Sequence, residues 1–153
     1  MQIGIIGTGL IGASIGLRLH SHGEKGMSVI GYDVNRDNLN LALKINAIDS
    51  VAESIDVVVK NSKIVIIAAP ILDVKDIFEA INESILTNHI ANLVITDTSS
   101  SKSKIIDWAN SILSKDTFFI GGHPMAGSTE VGPNYSDGSI FEDSRWVITP
   151  TKN

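Results

Sequence analysis

The chain has 153 residues, a formal net charge of −5 and no cysteine; 43% of it is hydrophobic and only 5% aromatic. That length implies one domain spanning residues 1–153, with a core built from aliphatic side chains. The missing cysteines exclude disulfides, thiolate catalysis and cysteine-ligated zinc, and an acidic chain without a basic, aromatic-interleaved face argues against nucleic acid as partner.

Met1–Ile6 lacks the basic region and cleavage site of a secretory signal. No apolar run reaches the roughly 18–20 residues needed to cross a bilayer. The expectation is a soluble, cytoplasmic protein with no membrane partner and no metal site.

Gln2–Ile6 is short, apolar and followed by glycine, which predicts a buried strand. Leu10–His20 carries apolar and small residues at helical spacing and stops near Gly23. Ser28–Asp33 reads as a second strand and Asn35–Asn46 as a second helix, its apolar face running through Leu39, Ala42, Leu43 and Ile45. Propensity alone would make Ile55–Lys60 a strand. The stronger strand Ile64–Ala68 follows so soon, however, that a parallel connection has no room, so a short helix at about 54–61 is preferred. Beyond Pro70 come a helix at about 73–87, a strand at Leu93–Asp97, a helix at about 102–113 and a strand at Thr117–Ile120. Residues 121–153 are rich in Gly, Pro and Ser, with a short strand expected at Trp146–Ile148. The alternation predicts an α/β fold: a Rossmann-type, doubly wound, mostly parallel sheet with helices on both faces.

The first strand runs into Gly7-Thr8-Gly9-Leu10-Ile11-Gly12, which opens the first helix. A lone pattern of this kind is weak, but here a second strand follows and ends in an acid, Asp33, twenty-one residues after Gly12. Gly7 permits the tight turn, Gly9 lets backbone approach a pyrophosphate, and Gly12 lets the helix pack against the strand. The helix N-terminus supplies N–H groups and a positive dipole end to the phosphates. Asp33 is expected to accept hydrogen bonds from the adenosine ribose and to repel a 2′-phosphate, favouring NAD over NADP. Arg36 can pair with such a phosphate or lie solvated in the first helical turn, and both readings stay open here. Ala68-Ala69-Pro70 ends the next parallel strand, where small residues would let a cofactor lie against the backbone.

Two further polar clusters should emerge at the same sheet edge. Asp97-Thr98-Ser99-Ser100-Ser101-Lys102 joins a strand to a helix and also fits a serine-rich N-cap. In Gly121-Gly122-His123-Pro124-Met125-Ala126-Gly127-Ser128, a histidine between glycines and a proline is poorly explained by core packing. His123 is therefore a candidate functional residue.

These segments, with Ile140-Phe141 and Trp146-Val147-Ile148-Thr149-Pro150, resemble the prephenate and arogenate dehydrogenases of tyrosine biosynthesis over essentially the whole chain. The His-Pro-Met-Ala-Gly segment is the most specific match. The resemblance implies oxidative decarboxylation, with hydride passing from the carbon that bears the ring hydroxyl to NAD. It implies that His123 deprotonates that hydroxyl, as a neutral imidazole can near pH 7. Ser100 matches the serine that binds the same hydroxyl and orients the histidine; Gly127 and Ser128 would join them around prephenate or arogenate. Lys102 is either part of this group or solvent-facing.

This sequence departs from the family where a glutamate often follows the Gly-Ser pair: Thr129 stands there, with Glu130 one residue later. The resemblance also implies an all-helical dimerisation domain, which 153 residues leave no room for. Apolar surface near Ile140, Phe141 and Trp146 would then be exposed, so a homo-oligomer and weak or no turnover by the chain alone are expected. Two other readings remain: another NAD(P)-dependent hydroxy-acid dehydrogenase, or a non-catalytic dinucleotide-binding module.

Overall fold

A computed structural model describes residues 1–23, 25–127 and 129–151. Its strands are β1 (Gln2–Ile6), β2 (Ser28–Tyr32), β3 (Ser50–Val51), β4 (Ile64–Ile67), β5 (Val94–Asp97), β6 (Phe118–Pro124) and β7 (Trp146–Pro150). Its helices are α1 (Leu10–His22), α2 (Arg36–Lys44), α3 (Ile55–Asn61), α4 (Val74–Asn88) and α5 (Ser103–Ile112).

All seven strands form one sheet in the order β3-β2-β1-β4-β5-β6-β7. Every pairing is parallel except β6 with β7. The chain first builds outward from β1 through β2 to β3, then returns to add β4 on the other side of β1. That reversal opens a crevice at the carboxyl ends of β1 and β4, where open α/β sheets receive ligands.

Alternation of side chains along each strand divides the core in two. Ile3 and Ile5 of β1 pack with Val29, Ala13, Ile15, Leu39 and Ala42 beneath α1 and α2. Ile6, Val65, Ile67, Ile95 and Phe119 pack with Val58, Phe78, Ile81 and Ile105 beneath α3, α4 and α5. Phe78 meets Phe119 edge-on, ring centroids 5.3 Å apart. The doubly wound, two-faced sheet is thus the one anticipated from the alternating pattern.

The elements agree with the sequence reading at α3 and differ from it at β3, β6 and the N-cap of α5. Helix α3 forms as expected, with the Ser54 hydroxyl accepting from Val57 N at 3.3 Å to cap it. Strand β3 is an unanticipated two-residue edge, held only through β2. Strand β6 does not stop at Ile120 but runs on through Pro124, because β7 pairs with this second half in the register Gly122↔Ile148 and His123↔Val147. His123 therefore sits in a strand and not in a loop. The N-cap of α5 is Lys102 with no side-chain cap bond, so the serines before it do not act as a cap.

After β6 the chain folds back over α1. Asp137 N donates to the Ser14 hydroxyl at 3.0 Å, the Ser136 hydroxyl donates to Leu10 O at 3.1 Å, and Arg18 pairs with Glu142 at 2.6 Å. Of the residues expected to be exposed near the end of the chain, Trp146 is exposed, with Val147 and Ile148 beside it on β7, whereas Ile140 and Phe141 are half-buried. Among the described residues no helix is long and apolar enough to cross a membrane.

Candidate functional site

The glycine loop is shaped by close backbone contacts. Gly7 has φ +93°, and a Cβ there would lie 2.5 Å from Ala68 O. A Cβ on Gly12 would lie 1.9 Å from Gly7 O, so α1 can approach β1 only with glycine at this position. At Gly9 a Cβ would meet no protein atom within 4 Å: this glycine borders open space. Gly9 is also the N-cap of α1, with no side-chain cap and no acid in the first turn, so the positive helix end is left to the cleft.

Asp33 reaches back to this loop. Its Oδ2 accepts from Thr8 N at 2.7 Å and from the Thr8 hydroxyl at 3.2 Å, while Oδ1 accepts from Asn35 N at 2.8 Å. Thr8 is fully buried, so the carboxylate is fixed in place. A carboxylate offers about four lone-pair positions, which leaves capacity for a ligand hydroxyl.

A cleft of about 950 Å³ runs across the carboxyl edge of the sheet. Of the residues singled out in the sequence, Gly7, Gly9, Leu10, Ile11, Asp33, Ala69, Pro70 and Gly127 line it. Thr8 and Gly12 lie outside the lining and shape the loop from behind. Arg36 also lies outside the lining, paired with Glu53 at 2.6 Å. That hydrogen bond and charge hold the Glu53 carboxyl below its ordinary range. Sequence reasoning missed Asp73 and Asp76 and named Glu130 only as a displaced acid; with Asp33 these give the lining four carboxylates and, among the described residues, no Lys, Arg or His. Their position just past Pro70 was the available signal for the first two.

The other clusters meet at the β5–β6 side. Asp97, the last residue of β5, is fully buried. Its Oδ1 accepts from Gly122 N at 3.1 Å and its Oδ2 from Ser99 N at 3.0 Å, and Oδ2 also pairs with the Lys102 ammonium. Lys102 is mostly buried, so it does not simply face solvent. Gly122 is tightly enclosed: a Cβ would lie 2.7 Å from Asp97 O and 2.9 Å from the Trp146 indole nitrogen. His123 is half-buried, and its Nδ1 lies 3.2 Å from Thr98 O. A carbonyl only accepts, so Nδ1 is the donor in this contact, and in a neutral ring the lone pair then falls on Nε2.

Thr98 both touches His123 and lines the cleft, so the two clusters share a border. Ser100 is exposed on the adjoining turn, and among the described residues no hydrogen bond joins it to His123. Ser128 lies outside the described residues. Thr98 and Asp97 were quoted in the sequence only as part of a polar run; an acid closing an otherwise apolar strand was the signal for the latter.

A family model described as "Prephenate dehydrogenase, nucleotide-binding domain" matches residues 15–153, beginning just past the glycine loop. The prephenate dehydrogenase of Bacillus subtilis is 36% identical over 146 residues, covering 95% of this chain and 38% of that protein. The Lactococcus lactis prephenate dehydrogenase is 37% identical over 150 residues, covering 97% and 40%. Among solved structures, Aquifex aeolicus prephenate dehydrogenase in complex with hydroxyphenyl propionate and NAD+ superposes with TM-score 0.88 at 29% identity, covering 99% of this chain and 51% of that one. The chain spans about two fifths of the length of these curated relatives.

Proposed function

The chain belongs to the prephenate dehydrogenase nucleotide-binding domain family, and from that premise we propose that it forms the NAD-binding part of an active site that oxidatively decarboxylates prephenate or arogenate. The carrying observation is one cleft with Asp33 at the β2 side and Thr98, the hydrogen-bond partner of His123, at the β5 side. Three strand spacings separate β2 from β5, roughly 14 Å. That span suits an extended dinucleotide and exceeds what a mononucleotide needs.

The residues present fit NAD. Gly9 leaves room for a pyrophosphate beside uncapped N–H groups of α1. Asp33, held by Thr8, takes the ribose hydroxyls. A 2′-phosphate on a ribose held by Asp33 would meet that carboxylate, and Arg36 is paired with Glu53 outside the cleft lining, so NADP is disfavoured.

Bound NAD supplies the hydride acceptor. His123 Nε2 takes the proton of the ring hydroxyl as that carbon becomes a carbonyl carbon, and loss of CO₂ then leaves an aromatic ring. Ser100, on the turn beside Thr98, and Gly127, at the cleft lining, are assigned to the substrate side. The reading includes a cytoplasmic location, supported by a cysteine-free composition that fits a reducing compartment.

Calorimetric titration with NAD and NADP tests the cofactor assignment. NAD is expected to bind at least about tenfold more tightly than NADP. No binding of either at millimolar concentration sinks the reading. The substrate assignment is tested in a chimera that joins this chain to the remaining length of the Bacillus subtilis enzyme; turnover of neither prephenate nor arogenate, with NAD binding intact, would remove it.

A further inference from the structure

The Thr98–Ser99 peptide stands between a buried carboxylate and the imidazole of His123. Its N–H, on Ser99, donates to Asp97 Oδ2 at 3.0 Å. Its C=O, on Thr98, accepts from His123 Nδ1 at 3.2 Å. The peptide is trans, and in a trans peptide the N–H and C=O point in opposite directions. One planar group is therefore gripped at both ends, by Asp97 on one side and by His123 on the other.

We infer that Asp97 is a positioning residue for His123: acting through the Thr98–Ser99 peptide, it fixes the Nδ1–H tautomer and so leaves Nε2 as the proton acceptor. This rests on His123 being the base of the proposed reaction. The same carboxylate also takes Gly122 N at 3.1 Å, the residue directly before His123, so it holds the backbone that carries the ring as well. Thr98 N donates to Ile67 O at 3.0 Å, anchoring the preceding peptide on β4. Lys102 balances the buried negative charge, so Asp97 keeps both oxygens as acceptors. Hydrogen bonds in series polarise one another, and an anionic start to the series strengthens the Thr98 carbonyl as an acceptor.

Asparagine at position 97 has the same shape but only one acceptor oxygen. Its amide group would face either Ser99 N–H or Gly122 N–H, donor against donor. One grip must open, the peptide gains freedom to rotate, and the ring can exchange its proton between nitrogens. A purely architectural role for Asp97 would lower stability without changing the tautomer.

Long-range ¹H–¹⁵N correlation spectra of the histidine rings read the tautomer directly. In the unaltered chain the neutral His123 ring is expected to favour Nδ1–H over Nε2–H by about tenfold, the preference that one good hydrogen bond confers. In Asp97→Asn the ratio should fall to near even, while backbone amide signals outside residues 96–124 stay in place. A proton found on Nε2 in the unaltered chain overturns the inference, and so does an unchanged ratio in a folded Asp97→Asn. If that variant does not fold, the spectrum of the unaltered chain decides alone. In the chimera, Asp97→Asn should lower kcat with the KM for NAD unchanged, and an unaltered kcat counts against the inference. Absence of NAD binding by the unaltered chain would instead strike at the cofactor assignment.

Discussion

At the scale of single residues, the glycine loop and His123 carry different kinds of information. Gly12 answers to a steric demand, because a Cβ there would lie 1.9 Å from the Gly7 carbonyl oxygen. Gly12→Ala must push α1 away from β1, at a cost of about 1–3 kcal/mol in stability. Its NAD affinity should fall at least about tenfold; denaturant titration and calorimetry measure the two effects. His123 is proposed to answer to chemistry. In the chimera, His123→Ala should reduce turnover by about 10²–10⁴-fold, the usual contribution of a positioned base. NAD affinity should be unchanged, and full retention of turnover would refute the assigned role. Both residues were legible because the first belongs to a spaced motif and the second is polar where packing offers no explanation. The hydrogen-bond partner of His123 was not legible: Thr98 is twenty-five residues away in the chain and uses only its backbone.

Elements follow local rules until a distant partner overrides them. Helix α3 was readable because two parallel strands cannot be joined by three residues and Ser54 stands ready to cap. Ser54→Ala should therefore cost about 1 kcal/mol of stability. A urea midpoint unchanged within error would show that the Val57 N–H finds water instead. The second half of β6 obeys no such local signal. Gly121-Gly122-His123-Pro124 has weak strand propensity and is extended because β7, more than twenty residues later, pairs with it. Strand β3 is similar: two residues gain their status only from β2.

On the scale of the whole molecule, carboxylates fasten segments that are far apart in sequence. Burial pushes the Asp49 carboxyl up, but Val29 N–H and His20 outweigh it and hold it below its ordinary value. Hydrogen bonding by Ser84 lowers Asp56 against some desolvation, with Lys60 and Asn88 assisting. The Ser139 hydroxyl and N–H lower Asp137, whose own N–H ties the returning tail to α1. A carboxyl with a depressed pKa in the fold contributes stability above its unfolded value, and this is lost as pH falls through the folded value. Tm should accordingly stay near its plateau between pH 7 and about pH 5 and decline below about pH 4. A Tm that rises on acidification would contradict these pairings. Asp49→Asn should flatten part of that decline, because its contribution no longer titrates.

The sequence by itself determined the α/β alternation, the glycine loop and an acid, Asp33, just past β2, and it singled out His123 as a candidate. Each of these depends on hydrophobic period, turn chemistry or residue type within a short stretch. Only the tertiary structure decided that Arg36 pairs with Glu53 outside the cleft lining, that four carboxylates border that cleft, and that His123 belongs to a strand. It alone set Asp97 behind the Thr98–Ser99 peptide, with the Thr98 carbonyl oxygen facing His123 Nδ1. The reason is physical: periodicity and propensity act over a few residues, whereas hydrogen-bond partners and cleft walls are fixed by how β1, β2, β5 and β6 come to lie side by side.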